Sequence, residues 1–240
     1  MNDTTQDCPR CGAPNSGRGR GRGMGGGGMG RGMGSRGMGG GFAYPDRTAH
    51  RTRHIAQIRA DIAATERAPL TPDERDDLLL MREEEKIARD VYLRLYEQWG
   101  MRPFDNISGA EQAHMDAILA LLEHHGLPDP ARGLGVGQFR GTGLQELHDQ
   151  LVRQGLASQA DAVRVGLLIE ELDIADLQKA ARRTDKPEIR AVYAELERGS
   201  RNHLRAFDRW RRHLGIDYAP QHLAPAEFER IALSAHEDCR

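Results

Sequence analysis

The sequence predicts an all-α fold in which four long helices pack antiparallel as a bundle, behind a disordered N-terminal extension. Three observations carry this. From residue 70 onward the chain is rich in Leu, Ala, Glu and Arg, with few β-branched or aromatic runs, which is a helix-former's composition. Four long segments in that part repeat their apolar residues at helical spacing, and each is bounded by cap residues or by Gly and Pro. Most of the 28 glycines fall in residues 17–41, a tract of nearly pure Gly, Arg and Met whose apolar surface is too small to offset the entropy of ordering.

The first helix is expected from Pro72 to about Trp99. Thr71 stands at the cap, Pro72 at the first helical position, and Asp73 and Glu74 in the first turn; Gly100 and Pro103 follow its end. The second is expected from about Ser108 to His125, because Ser108 and Glu111 form a capping-box pattern and Gly126 and Pro128 stop it. A Gly-rich connection, Leu127 to Thr142, then leads to a short helix at Gly143 to Gln154. The third long helix spans about Ser158 to Arg183, and the fourth runs from Pro187 to about Leu214, before Gly215. A last short helix is expected at Pro225 to Ala235. Ahead of these, residues 42–70 read as a linker with at most one helix, around Ile55 to Ala64. The organisation is therefore a short cysteine knuckle at 1–16, a low-complexity segment and linker at 17–70, and a helical domain at 71–235.

The formal net charge of -2 points to no polyanion or polycation as a whole-chain partner. There is no run of ~18 apolar residues, so no transmembrane helix is expected. Met1 to Arg10 lacks the apolar core of a secretory signal, and three cysteines (Cys8, Cys11, Cys239) make no disulfide framework. A cytoplasmic protein is expected.

Chemistry enters through the core-facing stripes. On the first helix the stripe is Leu78, Met81, Glu85, Ala88, Tyr92 and Leu95; on the second, Ile107, Glu111, His114, Ile118 and Leu121. On the third it is Val163, Leu167, Glu170, Ile174 and Leu177, with Asp173 at the margin; on the fourth, Ile189, Val192, Leu196, Ser200, His203, Phe207 and Trp210. Every helix thus puts a ligand-type side chain near its midpoint on the buried face. Carboxylates left unpaired in a core cost several kcal/mol or more each, and divalent cations would neutralise them. Glu111 and His114, three residues apart, share a helix face and can ligate one centre. Carboxylate and imidazole ligands together suit iron or manganese. Any one of these residues is more simply read as surface-facing or paired; the coincidence on four consecutive helices is what favours metal. The third-helix ligand is left between Glu170 and Glu171, which lie about 100° apart on the helix. Tyr92 and Trp210 are expected as core packing, with a redox role for Tyr92 as the sharper alternative.

Glu85-x-x-Ala88-Arg89-x-x-Tyr92 resembles the first-helix ligand motif of rubrerythrin-type proteins in the ferritin-like superfamily. Glu111-Gln112-Ala113-His114 resembles their second-helix motif, Glu170-x-x-Asp173 the paired acids of their third helix, and the interval from Pro187 to His203 the approach to their fourth-helix histidine. The run from Leu78 to about Ile231 is similar, more closely, to a ferritin-like domain family of unknown function. Met81–Lys86, Glu170–Ile174 and Gly199–Phe207 carry that likeness. The resemblance implies a carboxylate centre of two iron or manganese ions held by Glu85, Glu111, His114, Glu170, Asp173 and His203. It implies oxidation of Fe(II), or reduction of peroxide or dioxygen, in a homo-oligomer. One departure stands out: Ser200 occupies the place of a fourth-helix glutamate. Asp173 or Glu171 would have to compensate, or one metal position is weakened. Only Cys8 and Cys11 have rubredoxin-like spacing, so an iron–thiolate electron donor within the chain is not expected. The rival reading is a non-enzymatic helical module that uses the site for structure or metal binding.

At the N-terminus, Cys8-Pro-Arg-Cys11 supplies half of a zinc knuckle, and a closed zinc site needs four ligands. His50 and His54, or a second chain, would have to complete it; the plainer reading is an exposed reduced dithiol. The arginines of residues 17–41 read as a single-stranded nucleic-acid contact and the methionines as a Cu(I) contact. The plainer alternative is a solubilising tail.

Overall fold

The computed structural model describes residues 47–238. The Cys8/Cys11 knuckle, the Gly/Arg/Met tract and Cys239 lie outside the described residues. Within them the chain is all helical: α1 (Arg47–Ala63), α2 (Pro72–Trp99), α3 (Arg102–His125), α4 (Thr142–Gly155), α5 (Gln159–Ala181), α6 (Pro187–His213) and α7 (Pro225–Leu233). No helix among them is long and apolar enough to cross a membrane.

The boundaries follow local chemistry. Thr71 caps α2 in a full capping box: its hydroxyl accepts from Glu74 N at 3.2 Å, and Glu74 Oε2 accepts from Thr71 N at 2.8 Å. Gly100 (φ 60°) and Gly126 (φ 71°) end α2 and α3 in the left-handed conformation that side chains disfavour. Ser158 caps α5 by accepting from Asp161 N at 3.0 Å.

The second long helix departs from expectation. It begins at Arg102, not near Ser108, and Pro103 sits in its first turn. Read as a breaker beyond α2, Pro103 instead starts α3, where a missing N–H costs nothing. Ser108 is therefore mid-helix and its hydroxyl donates to Asp105 O at 2.9 Å, so it caps nothing. The extra turn buries Phe104 and Ile107. The helix expected in the linker runs from Arg47 to Ala63 and packs against α3 and α6, with Ile62 buried.

α2 pairs with α3 and α5 with α6, and the two pairs meet through α2 on α5 and α3 on α6. The links inside each pair are short, which makes the partners antiparallel. α3 and α5 run in the same direction, so residues 126–158 must cross the length of the pairs, and α4 lies on that crossing against α2 and α5. Lys86, buried on α2, pins the crossing by donating to Gly135 O at 2.8 Å, while its neighbour Asp90 accepts from Gly137 N at 2.8 Å.

Two apolar clusters stack along the helices. One holds Leu78 and Met81 of α2, Ile118 and Leu121 of α3, Leu177 of α5 and Ile189 to Leu196 of α6. The other holds Val91 to Leu95, Phe104 and Ile107, Val163 to Ile169, and Leu204 and Phe207. On α2, α3 and α6 the passage from one cluster to the other falls at the expected ligand residues; on α5 it falls just beyond them, between Ile174 and Leu177.

Candidate metal centre

The layer between the clusters is polar and buried. Glu85 (α2), Glu111 (α3) and Glu170 (α5) are each 1–2 % exposed, and His203 (α6) is 9 % exposed. His114 completes the layer with a side chain 12 % exposed. His114 Nδ1 lies 3.2 Å from Glu85 Oε2 and 2.8 Å from Glu111 Oε2. His203 Nδ1 lies 3.0 Å from Glu111 Oε1 and 3.4 Å from Glu170 Oε2. The donor atoms therefore form two triads, Glu85–Glu111–His114 and Glu111–Glu170–His203, which share Glu111. The imidazoles stack with ring centres 5.5 Å apart.

The spacing fits coordination. Two ligands of one cation, each bound at about 2.0–2.2 Å, stand about 2.8–3.5 Å apart. The layer also contains atoms that hydrogen bonding leaves over: Glu85 Oε1, Glu111 Oε1 and His203 Nδ1 are buried without a hydrogen-bond partner. Glu111 Oε1 and His203 Nδ1 are near one another yet not aligned to bond. Unpaired atoms of this kind are costly in a core unless something else satisfies them.

Protonation reflects the crowding. Burial works to lower the His203 imidazole, but the Glu111 and Glu170 carboxylates outweigh it and lift it to about 9. His114 is lifted well above its ordinary value by Glu85 and Glu111, also against burial. Burial raises the Glu85 carboxyl to about 7, only partly opposed by His114. Burial would raise Glu111 too, but the two imidazoles hold it below the carboxylate range. Burial and the surrounding acids push Asp173 well up. With more carboxyls than imidazoles, protons make up the deficit of positive charge in the metal-free cluster.

Asp173 faces the layer but belongs to neither triad; it is hydrogen-bonded to Ser200. The adjacent glutamates of α5 meet different partners. Glu170 receives the Tyr92 hydroxyl at 2.6 Å and meets His203, whereas Glu171 Oε2 turns away and accepts the N–H groups of Gln221, His222 and Leu223 at 2.9–3.1 Å. Tyr92 packs against Phe104 and Phe207 as well, so it is core and site at once. Trp210 is partly buried packing. His54 Nε2 lies 2.9 Å from Glu195 of α6. Gly199 entered the sequence reading only as the start of a family-like stretch, with no part in the site. A Cβ there would lie 2.5 Å from His114 Nε2, so the missing side chain makes room for the imidazole ring. The signal that could have found it is a glycine inside a helical pattern.

A small cavity of about 30 Å³ abuts the layer between α2, α4 and α5, bordered by Ala88, Glu111, Leu151, Glu170 and Asp173.

Fold and layer together define an all-helical protein with a buried carboxylate–histidine cluster able to hold metal. The chain belongs to the family of the uncharacterized protein domain DUF2202, whose family model matches residues 74–235. It is 45% identical over 176 residues to the uncharacterized protein MJ0754 of Methanocaldococcus jannaschii, a match covering 73% of this chain and 95% of that protein. It is also similar to a crystal structure of hypothetical protein MJ0754 from Methanococcus jannaschii, with a TM-score of 0.71 and 45% identity over 72% of this chain and 99% of that one. α1 precedes the matched segment.

Proposed function

We propose that this protein is a ferritin-like four-helix-bundle metal protein that holds two iron or manganese ions and acts on small oxygen species or Fe(II). One observation carries the reading: two buried triads share Glu111, and donor atoms in them lie within ligand spacing while lacking hydrogen bonds. Glu85, Glu111 and His114 would hold one cation, and Glu111, Glu170 and His203 the other. Two divalent cations would offset the three carboxylates of the triads, Glu85, Glu111 and Glu170. Bound there, redox-active ions would supply the electrons for reducing peroxide or dioxygen, or take them from Fe(II).

The chain's own residues prepare the site for that chemistry. The apolar clusters above and below exclude water and strengthen every charge interaction within the layer. Tyr92 fixes the orientation of Glu170 and holds a phenolic proton against it. Asp173, kept protonated, holds a second proton beside the small cavity. That cavity has room for a water-sized molecule and little more.

The test is metal content of the purified protein beside Glu111→Ala and His203→Ala, followed by anaerobic Fe(II) loading and exposure to air. The expected result is about two ions per chain in wild type, loss of both in Glu111→Ala, loss of one in His203→Ala, and a carboxylate-bridged ferric absorption after air. Two stable ions with no change on exposure to air would favour the second reading, a structural metal module. Ser200, in place of a fourth-helix carboxylate, is the observation on its side.

A further inference from the structure

A second group of metal-type ligands lies away from this layer. His124 and His125 occupy the last turn of α3, and Glu188 the first turn of α6. At 1.5 Å per residue, His124 is roughly 15 Å along α3 from His114, too far to share a centre. His125 Nε2 and Glu188 Oε1 are 3.2 Å apart, with side chains 1% and 2% exposed. The two imidazoles meet edge to face at 4.9 Å. One ligand atom from each of the three residues falls within 4.8 Å of the others.

The second observation is what those atoms lack. His124 Nε2, His125 Nε2 and Glu188 Oε1 are all buried, and none has a hydrogen-bond partner. An ordinary His–Glu ion pair would align one N–H on the carboxylate and leave His124 Nε2 without a purpose. Three unsatisfied donor atoms converging on one point instead call for a cation between them. The helix ends agree: the C-terminus of α3 favours positive charge, and Glu188 complements the N-terminus of α6. The nearby cations are engaged elsewhere, Lys186 with Glu74 at 2.8 Å and Arg67 with the His125 carbonyl at 2.7 Å.

We infer that His124, His125 and Glu188 form a separate mononuclear site for a zinc-class divalent cation, fastening the end of α3 to the start of α6. Two imidazoles and one carboxylate are a recurrent zinc donor set that keeps a fourth position for water or another ligand. Glu188 also borders the groove of about 870 Å³ between α1 and α6.

The experiment uses the full chain after chelator treatment, titrated with Zn(II) alone. A Glu111→Ala/His203→Ala background removes the carboxylate layer from the count, so the two sites fail independently. That background is expected to bind one zinc per chain and to gain thermal stability from it. Adding His124→Asn is expected to weaken binding by about tenfold or more, since losing a ligand costs at least what losing a ligand's hydrogen-bond partner costs. His124 is only partly buried, which makes it the tolerable substitution. Should the double-variant background fail to fold, wild type and His124→Asn are compared directly, with one zinc fewer expected in the variant. No zinc in the folded background, or equal zinc with and without His124→Asn, overturns the site.

Discussion

Ser200 Oγ lies within hydrogen-bonding reach of both Asp173 Oδ2 and Leu196 O, the latter at 3.0 Å. A hydroxyl has one proton to give. If Ser200 spends it on the Leu196 carbonyl, Asp173 must be the donor in the other bond, which agrees with burial and neighbouring acids holding its carboxyl protonated. In that arrangement the pair is a carboxylic acid donating to a serine hydroxyl. In the metal-free protein Asp173→Asn, which can still donate, is expected to change stability by less than about 1 kcal/mol, while Asp173→Leu leaves Ser200 short of a partner and costs about 1–3 kcal/mol. Urea midpoints separate the two. Equal losses would mean that Asp173 is ionised, and the same pair of variants, assayed for metal content, tells whether it also acts as a ligand.

Metal binding should be a proton exchange. In the metal-free protein His203, lifted to about 9, and His114, lifted well above its usual value, carry protons at pH 7 that a cation must displace. Mn(II) affinity is expected to rise between pH 6 and 9, with about two to three protons released per fully loaded chain at pH 7, the imidazoles' two and a part from Glu85. Calorimetry in buffers of different ionisation enthalpy counts them. The metal-free fold should move the opposite way. A His203 value raised in the folded state adds stability that is full below the unfolded value of about 6.5 and is lost as pH rises through 9. An affinity independent of pH would mean that the imidazoles are neutral in the metal-free layer.

Acid stability has a separate source in Glu74. Burial alone would raise its carboxyl, but hydrogen bonds from Lys186, Thr184 and the Thr71 N–H outweigh that and hold it at about 2. A depressed folded value gives stability that is present above the unfolded value of about 4.5 and is lost as pH falls toward 2. The contribution at pH 7 is on the order of 2–3 kcal/mol, given that the side chain is almost fully buried. Glu74→Gln should therefore be less stable than wild type at pH 7 and equal to it near pH 2. A gap that persists unchanged to pH 2 would assign the loss to packing or to the helix cap instead.

The pattern of these residues explains what the sequence disclosed and what it hid. Period and caps are local properties, so the ends of α2, α5 and α6 were readable from Thr71, Ser158, Pro187 and the glycines. The stripes were readable as well, because Glu85, Glu111, Glu170 and His203 interrupt runs that are otherwise buried and apolar. Pro103 misled because one residue type both ends and starts helices, and only the burial of Phe104 and Ile107 decides which. Glu170 and Glu171 could not be separated because α5 is buried on two faces, and both glutamates are buried; the partners that tell them apart come from α2, α6 and the segment at 221–223. Lys86 and Asp90 were hidden for the same reason, since the crossing that covers them is distant in sequence.

Gly199 ties helix packing to the metal layer. Among the contacts that a Cβ at this position would make, His114 Nε2 at 2.5 Å and Cε1 at 2.8 Å are too close for any real side chain. Alanine normally favours a helix interior over glycine by about 1 kcal/mol. Here that gain is opposed by displacement of a ring packed against His203 and aimed by Nδ1 at Glu85 and Glu111. Because the ring faces Glu85 and Glu111 on one side and α6 on the other, it cannot retreat without leaving the first triad. Gly199→Ala is therefore expected to keep the helical circular-dichroism spectrum while reducing bound metal to about one ion per chain, the triad of Glu111, Glu170 and His203 being left in place. Metal analysis beside a thermal melt reads both effects. Full metal content in Gly199→Ala would show that His114 can shift and still ligate, or that it holds no ion.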